Sequence, residues 1–293
     1  MAGKTNLRAA NTAWEGRLRR IEGRHNPLVR ELRRAFSRSE VSDEGHFAIE
    51  GLRIVEEAIR SGLRFHAVFF AASAENKAER LLPQIGAQVE TLVLPDGIFA
   101  GAVPSDSPQG VAALVKAREW AVDSVLVRVS IGPLVAVAGV QDPGNLGTIL
   151  RSAEAFGAAG VLLGEGTVSG YNPKVVRASA GSLFRLPVAR ASLAAITDRL
   201  RQDGVRLIAT SSHKGAQLDE AELGGKIAVF IGSEGAGLPR ELIAKMDETV
   251  VIPQSERVES LNAGVAASIV LYEIARQRRS HHGDTEAQRR GGQ

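Results

Sequence analysis

Residues 227–243 read IAVFIGSEGAGLPRELI. The apolar run Ile227–Ile231 suits a strand buried on both faces. Gly232, Gly235 and Gly237 suit a loop, and Leu238-Pro239 suits the start of a helix. Strand, glycine loop and helix in that order form the repeating unit of a parallel sheet, whose ligands bind at such loops. Loops of this kind commonly hold phosphate against a helix N-terminus. Here the glycines are spaced G-x-x-G-x-G rather than G-x-G-x-x-G, and Glu234 between them would repel a pyrophosphate. A dinucleotide-dependent oxidoreductase is therefore disfavoured. Glu234 could stay ionised by pairing with a cation or by accepting loop N–H groups, and a plain glycine turn with an exposed acid would also account for the loop taken alone.

The surrounding chain repeats the same alternation. Apolar runs predict strands at 134–140, 160–163, 186–189, 206–210, 227–231 and 249–252, with helices at 145–156, 173–180, 192–203, 239–246 and 260–278. An earlier set of elements fills residues 24–116: a helix opened by Asn26 and Pro27, then strands and helices of the lengths found in a small α/β sandwich. The implied domains are a basic extension at 1–23, the sandwich at 24–116, a linker at 117–132, the parallel α/β domain at 133–279 and a disordered polar tail at 280–293.

Two further strand-to-helix loops carry unusual polar residues. GVQDPGNLGTILRSAEAFG, residues 139–157, places Asp142, Asn145 and Gly147 at a helix start and Arg151 one turn further on. Free N–H groups and a guanidinium there could take a phosphate, and a tight turn capped by Asn145 would serve equally well. VVIPQSERVESLNAGVAAS, residues 250–268, ends a strand at Ile252 and opens a helix that Ser260 is expected to cap. The near absence of bulk in LNAGVAAS allows close approach to another backbone.

Composition bounds the chemistry. In 293 residues, 44% hydrophobic and 24% charged, there is no cysteine, which removes disulfides, thiolate nucleophiles and cysteine-based zinc sites. The six histidines lack metal-ligand spacing, so no metal is expected. Net charge is only +3, but basic residues cluster at both ends, among them Lys4, Arg8, Arg17, Arg30, Arg33 and Arg34, which suits a polyanion partner. Apolar stretches are strand-length, so no membrane association is expected, and no secretory h-region is visible; the expected location is cytoplasmic, with an organellar transit peptide over the first 14 residues, which hold Lys4 and Arg8 and no acid, as the alternative.

Taken in order, NLGTILRSAEAFG, FIGSEGAGLPRELI and VVIPQSERVESLNAGVAASIVLYE resemble the SpoU (TrmH-like) family of RNA ribose 2′-O-methyltransferases, of the SPOUT class. YNPKVVRASAGSLFRLPV, NPLVRELRR, FAIEGLRIVEEAI and SDSPQGV extend the likeness from about Arg24 to Arg278. The resemblance implies a trefoil-knotted C-terminal domain with a parallel sheet, and an N-terminal RNA-binding domain similar to a ribosomal protein. It implies S-adenosylmethionine held by Thr210, Ser211, Gly232, Ser233, Glu234, Gly237, Ile252, Leu261, Asn262 and Ala266. It implies Arg151 as the leading catalytic residue, assisted by Asn145, Glu234, Ser260 and Asn262, with Glu234 holding either its loop or Arg151. RNA contacts would come from Arg30, Arg33, Arg34, Lys174 and Arg177, and the chain would act as a homodimer. The implied substrate is ribosomal RNA of the large-subunit 23S type; transfer RNA and a non-catalytic RNA-binding role are the alternatives. The family often reads S-L-N-V-S-V-A where this chain has SLNAGVA, so Ala263-Gly264 removes a hydroxyl.

Overall fold

The computed structural model describes residues 15–255 and 257–290, with 281–290 described by backbone path alone. Lys4 and Arg8 of the basic extension, Glu256 and the last residues of the tail lie outside the described residues. In chain order the strands are β1 Leu18–Arg20, β2 His46–Glu50, β3 Phe65–Ala71, β4 Glu90–Leu94, β5 Val111–Lys116, β6 Leu134–Val137, β7 Gly160–Leu163, β8 Val188–Arg190, β9 Arg206–Ser211, β10 Ala216–Gln217, β11 Ile227–Ile231 and β12 Glu248–Val251. The helices are α1 Pro27–Arg38, α2 Leu52–Arg60, α3 Lys77–Leu81, α4 Asp96–Ala100, α5 Val122–Leu126, α6 Pro143–Ala155, α7 Pro173–Ala178, α8 Ser182–Arg185, α9 Leu193–Gln202, α10 Arg240–Ile243 and α11 Ala263–Arg290. The chain divides into two compact units: residues 1–118 with 169–184, and 119–168 with 185–293.

The first unit holds a five-stranded sheet in the order β1-β4-β3-β5-β2, parallel at β1-β4-β3 and antiparallel at β3-β5-β2. Helix α1 forms as its sequence predicts: Asn26 Oδ1 accepts from the Leu28 N–H at 2.9 Å, and Pro27 fills the first helical position. Its Val29, Leu32 and Phe36 pack with Phe69, Leu92, Phe99 and Leu114, leaving Arg30, Arg33 and Arg34 outward.

The second unit is built on a seven-stranded sheet, parallel throughout, in the order β10-β12-β9-β11-β6-β7-β8. Strands β6, β7 and β11 are wholly buried, as continuous apolar runs require. Part of the expected linker belongs to this unit: α5 contributes Val125 and Leu126 to its core, followed by Val129. Conversely, residues 169–184, expected within the continuous stretch 133–279, pack with the first unit. Helix α11 runs to Arg290, past the position where a disordered tail was expected to begin.

Strand order explains how distant motifs can meet. The connection from β11 to β12 passes over β9, so the chain leaves β12, β9, β11 and β6 as neighbours in that order. All four run parallel, so the segments that follow them emerge at one edge of the sheet.

Candidate functional site

The loop after β11 is closed on itself: the Ser233 N–H donates to Gly237 O at 3.2 Å and the Gly237 N–H returns to Ser233 O at 2.9 Å. Gly237 has φ +65°, a left-handed conformation that glycine adopts without strain, and a Cβ on Gly232 would collide with the backbone of Gly237 and Leu238. The glycines therefore shape a tight loop that presents Glu234 at an exposed tip.

Glu234 ties the loops together. Its Oε1 accepts from Asn145 Nδ2, from Asn262 Nδ2 at 3.2 Å and from the Ala263 N–H at 3.4 Å. Asn262 Nδ2 also donates to Asn145 Oδ1 at 2.7 Å. Asn145 is buried, so its amide depends on these partners. Of the two roles open to Glu234, holding its loop or holding Arg151, the structure gives it the loop. Arg151 is exposed and makes no ion pair or hydrogen bond among the described residues.

Two expected caps differ from those found. Asp142 caps α6, its Oδ1 accepting from the Asn145 N–H at 2.8 Å, so Asn145 lies inside the helix with its side chain free to cross to Glu234. Asn262 Oδ1 accepts from the Val265 N–H at 3.2 Å and caps α11 in place of Ser260. Helix α11 begins at Ala263, three residues after the expected cap, because each position offers competing polar side chains and only one fits the turn. Ser260 is exposed beside the cavity described next.

An open cavity of about 560 Å³ lies in the second unit, lined by the segments after β9, β11 and β12 and by the start of α11. Thr210, Ser211, Gly232, Ser233, Glu234, Gly237, Ile252, Leu261 and Ala266 line it, whereas Asn262 turns its amide to Asn145 and Glu234. Gln254, which no motif singled out, also lines the cavity, and its Nε2 donates to Ser212 O at 3.3 Å, joining two of its walls. Its place two residues after Ile252 was the available signal. Thr167 was missed as well: buried, it donates to Val137 O at 3.0 Å and accepts from the Gly139 N–H at 3.0 Å, fixing the chain as it leaves β6.

Helix α11 packs closely on α6. A Cβ on the buried Gly264 would stand 3.0 Å from Thr148 Cβ, and Ser152 and Ser268 share a hydrogen bond of 2.7 Å. A side chain at Gly264 would press on Thr148, which would have to give by a few tenths of an ångström.

In the first unit Arg30 and Arg34 are exposed on α1, and Arg33 donates to Gly101 O at 3.1 Å. Lys174 is exposed on α7. Arg177 is engaged by its own unit: Nη1 donates to Ser105 Oγ at 3.0 Å and lies 3.6 Å from Glu50 Oε2. The structure also gathers histidines that looked scattered in sequence. His46 Nδ1 is 3.0 Å from Glu31 Oε1, His66 Nε2 is 3.7 Å from Glu31 Oε2, and the two rings stack at 4.4 Å with an 11° tilt. Stacked rings aim their nitrogen lone pairs in separate, nearly parallel planes, a poor arrangement for one shared ion.

The SpoU rRNA Methylase family matches residues 132–272, and an MRM3-like substrate binding domain matches residues 26–113. The chain is 31% identical to the 23S rRNA (guanosine(2553)-2′-O)-methyltransferase RlmP of Bacillus subtilis, across 88% of this chain and 99% of that protein. Among solved structures, the AdoMet-bound rRNA methyltransferase of Sinorhizobium meliloti superposes with a TM-score of 0.78 at 28% identity, covering 89% of this chain and 98% of its own. The SpoU methyltransferase AviRb of Streptomyces viridochromogenes in complex with AdoMet gives 0.77 at 28% identity, covering 87% and 99%.

Proposed function

The chain belongs to the SpoU rRNA methylase family, and from that premise we propose that it methylates a ribose 2′-hydroxyl of 23S-type large-subunit ribosomal RNA, using S-adenosylmethionine. The observation that carries this reading is the meeting of three loops, distant in sequence, at one cavity through Glu234, Asn145 and Asn262.

The residues present fit the cofactor. The cavity has the size of a small-molecule site, and much of its wall is backbone and small side chains, with Gly232 where a Cβ could not stand. Backbone N–H and C=O groups suit an adenine edge and an amino-acid moiety, and a loop carrying Glu234 is compatible with a ligand that lacks phosphate. When bound, the cofactor supplies a sulfonium-activated methyl group. The protein's task is then largely positioning. The loops at Thr210-Ser211, Gly232–Gly237 and Ile252–Leu261 hold the ligand, and Glu234 keeps the second of these registered to α6 and α11. Arg151 grips the phosphate beside the target ribose with its guanidinium fork and stabilises the developing 2′-alkoxide. Ser260, exposed at the cavity edge, assists at the substrate in this reading.

The remaining parts of the reading follow the family. The crossing of β11 to β12 over β9 supports a C-terminal segment threaded into a trefoil knot. Val265, Ile269 and Tyr272, exposed at 46%, 37% and 49% and spaced along one side of α11, support pairing with a second copy through that helix. The domain matching residues 26–113 supports RNA docking by the first unit, with Arg30, Arg33 and Arg34 contacting phosphates. Among the described residues no helix is long and apolar enough to cross a membrane, which accords with the cytoplasmic setting of a ribosomal RNA substrate.

Mapping 2′-O-methylation across ribosomal and transfer RNA from cells with and without the gene tests the proposal. Loss of methylation at one large-subunit nucleotide is expected. An unchanged large-subunit pattern would overturn it, and loss at a tRNA position would reassign the substrate.

A further inference from the structure

Three stretches of sequence, FAIEG, SDSPQGV and NPKVVRAS, have no task in methyl transfer, yet the first unit brings them together. Glu50, at the end of β2, is 6% exposed. Its Oε2 accepts from Ser105 Oγ at 2.7 Å, and Arg177 completes the group by donating to the same hydroxyl at 3.0 Å with its Nη1 3.6 Å from that carboxylate oxygen. A buried carboxylate is costly unless it is paired and hydrogen-bonded. Burial holds the Glu50 carboxyl above its usual range, against the smaller opposing effects of the Ser105 hydrogen bond and the Arg177 charge.

The group has a topological consequence. Residues 169–184 continue at both ends into the second unit but pack in the first. Phe47 lies against Tyr171 at 4.9 Å and against Phe184 at 6.1 Å, and Arg118 Nη1 donates to Phe184 O at 3.1 Å. These apolar and backbone contacts hold the segment's ends. Arg177, in the middle, is held by Glu50 and Ser105.

We infer that Glu50 is a positioning residue, which through Ser105 and Arg177 fixes α7 on the substrate-binding unit and so presents Lys174 to RNA. The inference rests on the reading that this unit docks ribosomal RNA. It also gives Arg177 a different role from a direct phosphate contact.

The test uses the full-length protein with Glu50→Gln, Arg177→Gln, the double variant and Ser105→Ala. Hydrogen exchange is measured on the free protein, and methylation kinetics and filter binding on large-subunit rRNA over a salt series. Glu50→Gln is expected to speed exchange at 170–184 and not at 231–238. It should raise the KM for RNA about tenfold, the order of one charge-assisted hydrogen bond, with kcat and the cofactor KM within about twofold. The double variant should be no worse than Arg177→Gln, and the slope of log affinity against log salt should not change. Ser105→Ala, which alters no charge, should show the same pattern in weaker form. A wild-type RNA KM for Glu50→Gln, with a shallower salt slope for Arg177→Gln, would overturn the inference and return Arg177 to direct phosphate contact. Unchanged exchange at 170–184 would also overturn it. The exchange result stands whether or not the protein methylates RNA, so it separates failure of this inference from failure of the proposed function.

Discussion

Replacing Glu234 tests the centre of the proposed site. Glu234→Ala removes the acceptor of three donors, of which Asn145 Nδ2 is buried and Asn262 Nδ2 and the Ala263 N–H lie at 3.2 and 3.4 Å. The longer two can turn to water and contribute little. The Asn145 amide cannot, and a buried donor left without its partner costs about 1–3 kcal/mol. Taking ~2 kcal/mol as the loss, and charging it to the ordering of the loop rather than to global stability, cofactor affinity should fall roughly 30-fold. Glu234→Gln keeps one acceptor oxygen without the charge, which leaves a hydrogen bond of about half the strength. Its penalty should be near 1 kcal/mol, or about fivefold. Titration calorimetry with S-adenosylmethionine, alongside circular dichroism to check folding, gives both numbers. The reasoning fails if Glu234→Ala binds the cofactor as tightly as the wild type. It fails equally if Glu234→Gln is as damaging as Glu234→Ala, because the negative charge itself, rather than an acceptor for Asn145, would then be what matters.

Arg151→Ala should lower single-turnover methylation by about 10²–10³-fold, the usual cost of one donor to a developing anion, while cofactor binding measured by calorimetry stays unchanged. Gly264→Ser should lower stability by about 1–3 kcal/mol in denaturant titrations, because the new Cβ meets Thr148 Cβ at 3.0 Å. Hydrogen bonds within its own backbone, then from Ser192 and from Leu193, hold the Glu165 carboxyl below its usual range. A depressed carboxyl stabilises the fold above its unfolded pKa and loses that contribution as pH falls through the folded one, so Glu165→Gln should be less stable than wild type at neutral pH and equal to it in acid. Ile269→Asp should convert the proposed dimer to monomers in light scattering without changing the far-ultraviolet circular dichroism.

Much of the fold was legible because the signals were local. Continuous apolar runs gave β7 and β11 to the residue, and Asn26-Pro27 gave the start of α1. What the sequence could not carry was pairing at a distance. Residues 169–184 have the period of a helix whichever unit they join; the partners that decide it, Phe47 and Glu50, lie more than a hundred positions away. Glu31, His46 and His66 looked unrelated for the same reason. At the site, the residues were named from the family resemblance, but the bonds between them depend on β11 lying beside β6, which no periodicity reveals. At Gly264 the sequence shows only a missing hydroxyl, and the nearness of Thr148 emerges only in the fold.

The glutamate in the glycine loop then has a physical reason. Three N–H donors converge from α6 and from the start of α11, and an ionised carboxylate, which only accepts, can satisfy all of them with one oxygen. A serine or asparagine there would bring donors of its own. On the proposed reading, the same charge repels phosphate and turns the backbone of an RNA substrate away from the cofactor loop. Arg151, exposed and unpaired among the described residues, remains available to receive it. Had Glu234 paired with Arg151 instead, the loop would lose its brace and the RNA its cation. On the proposed reading, separating the two charges lets one loop hold a methyl donor while the neighbouring helix holds the chain to be methylated.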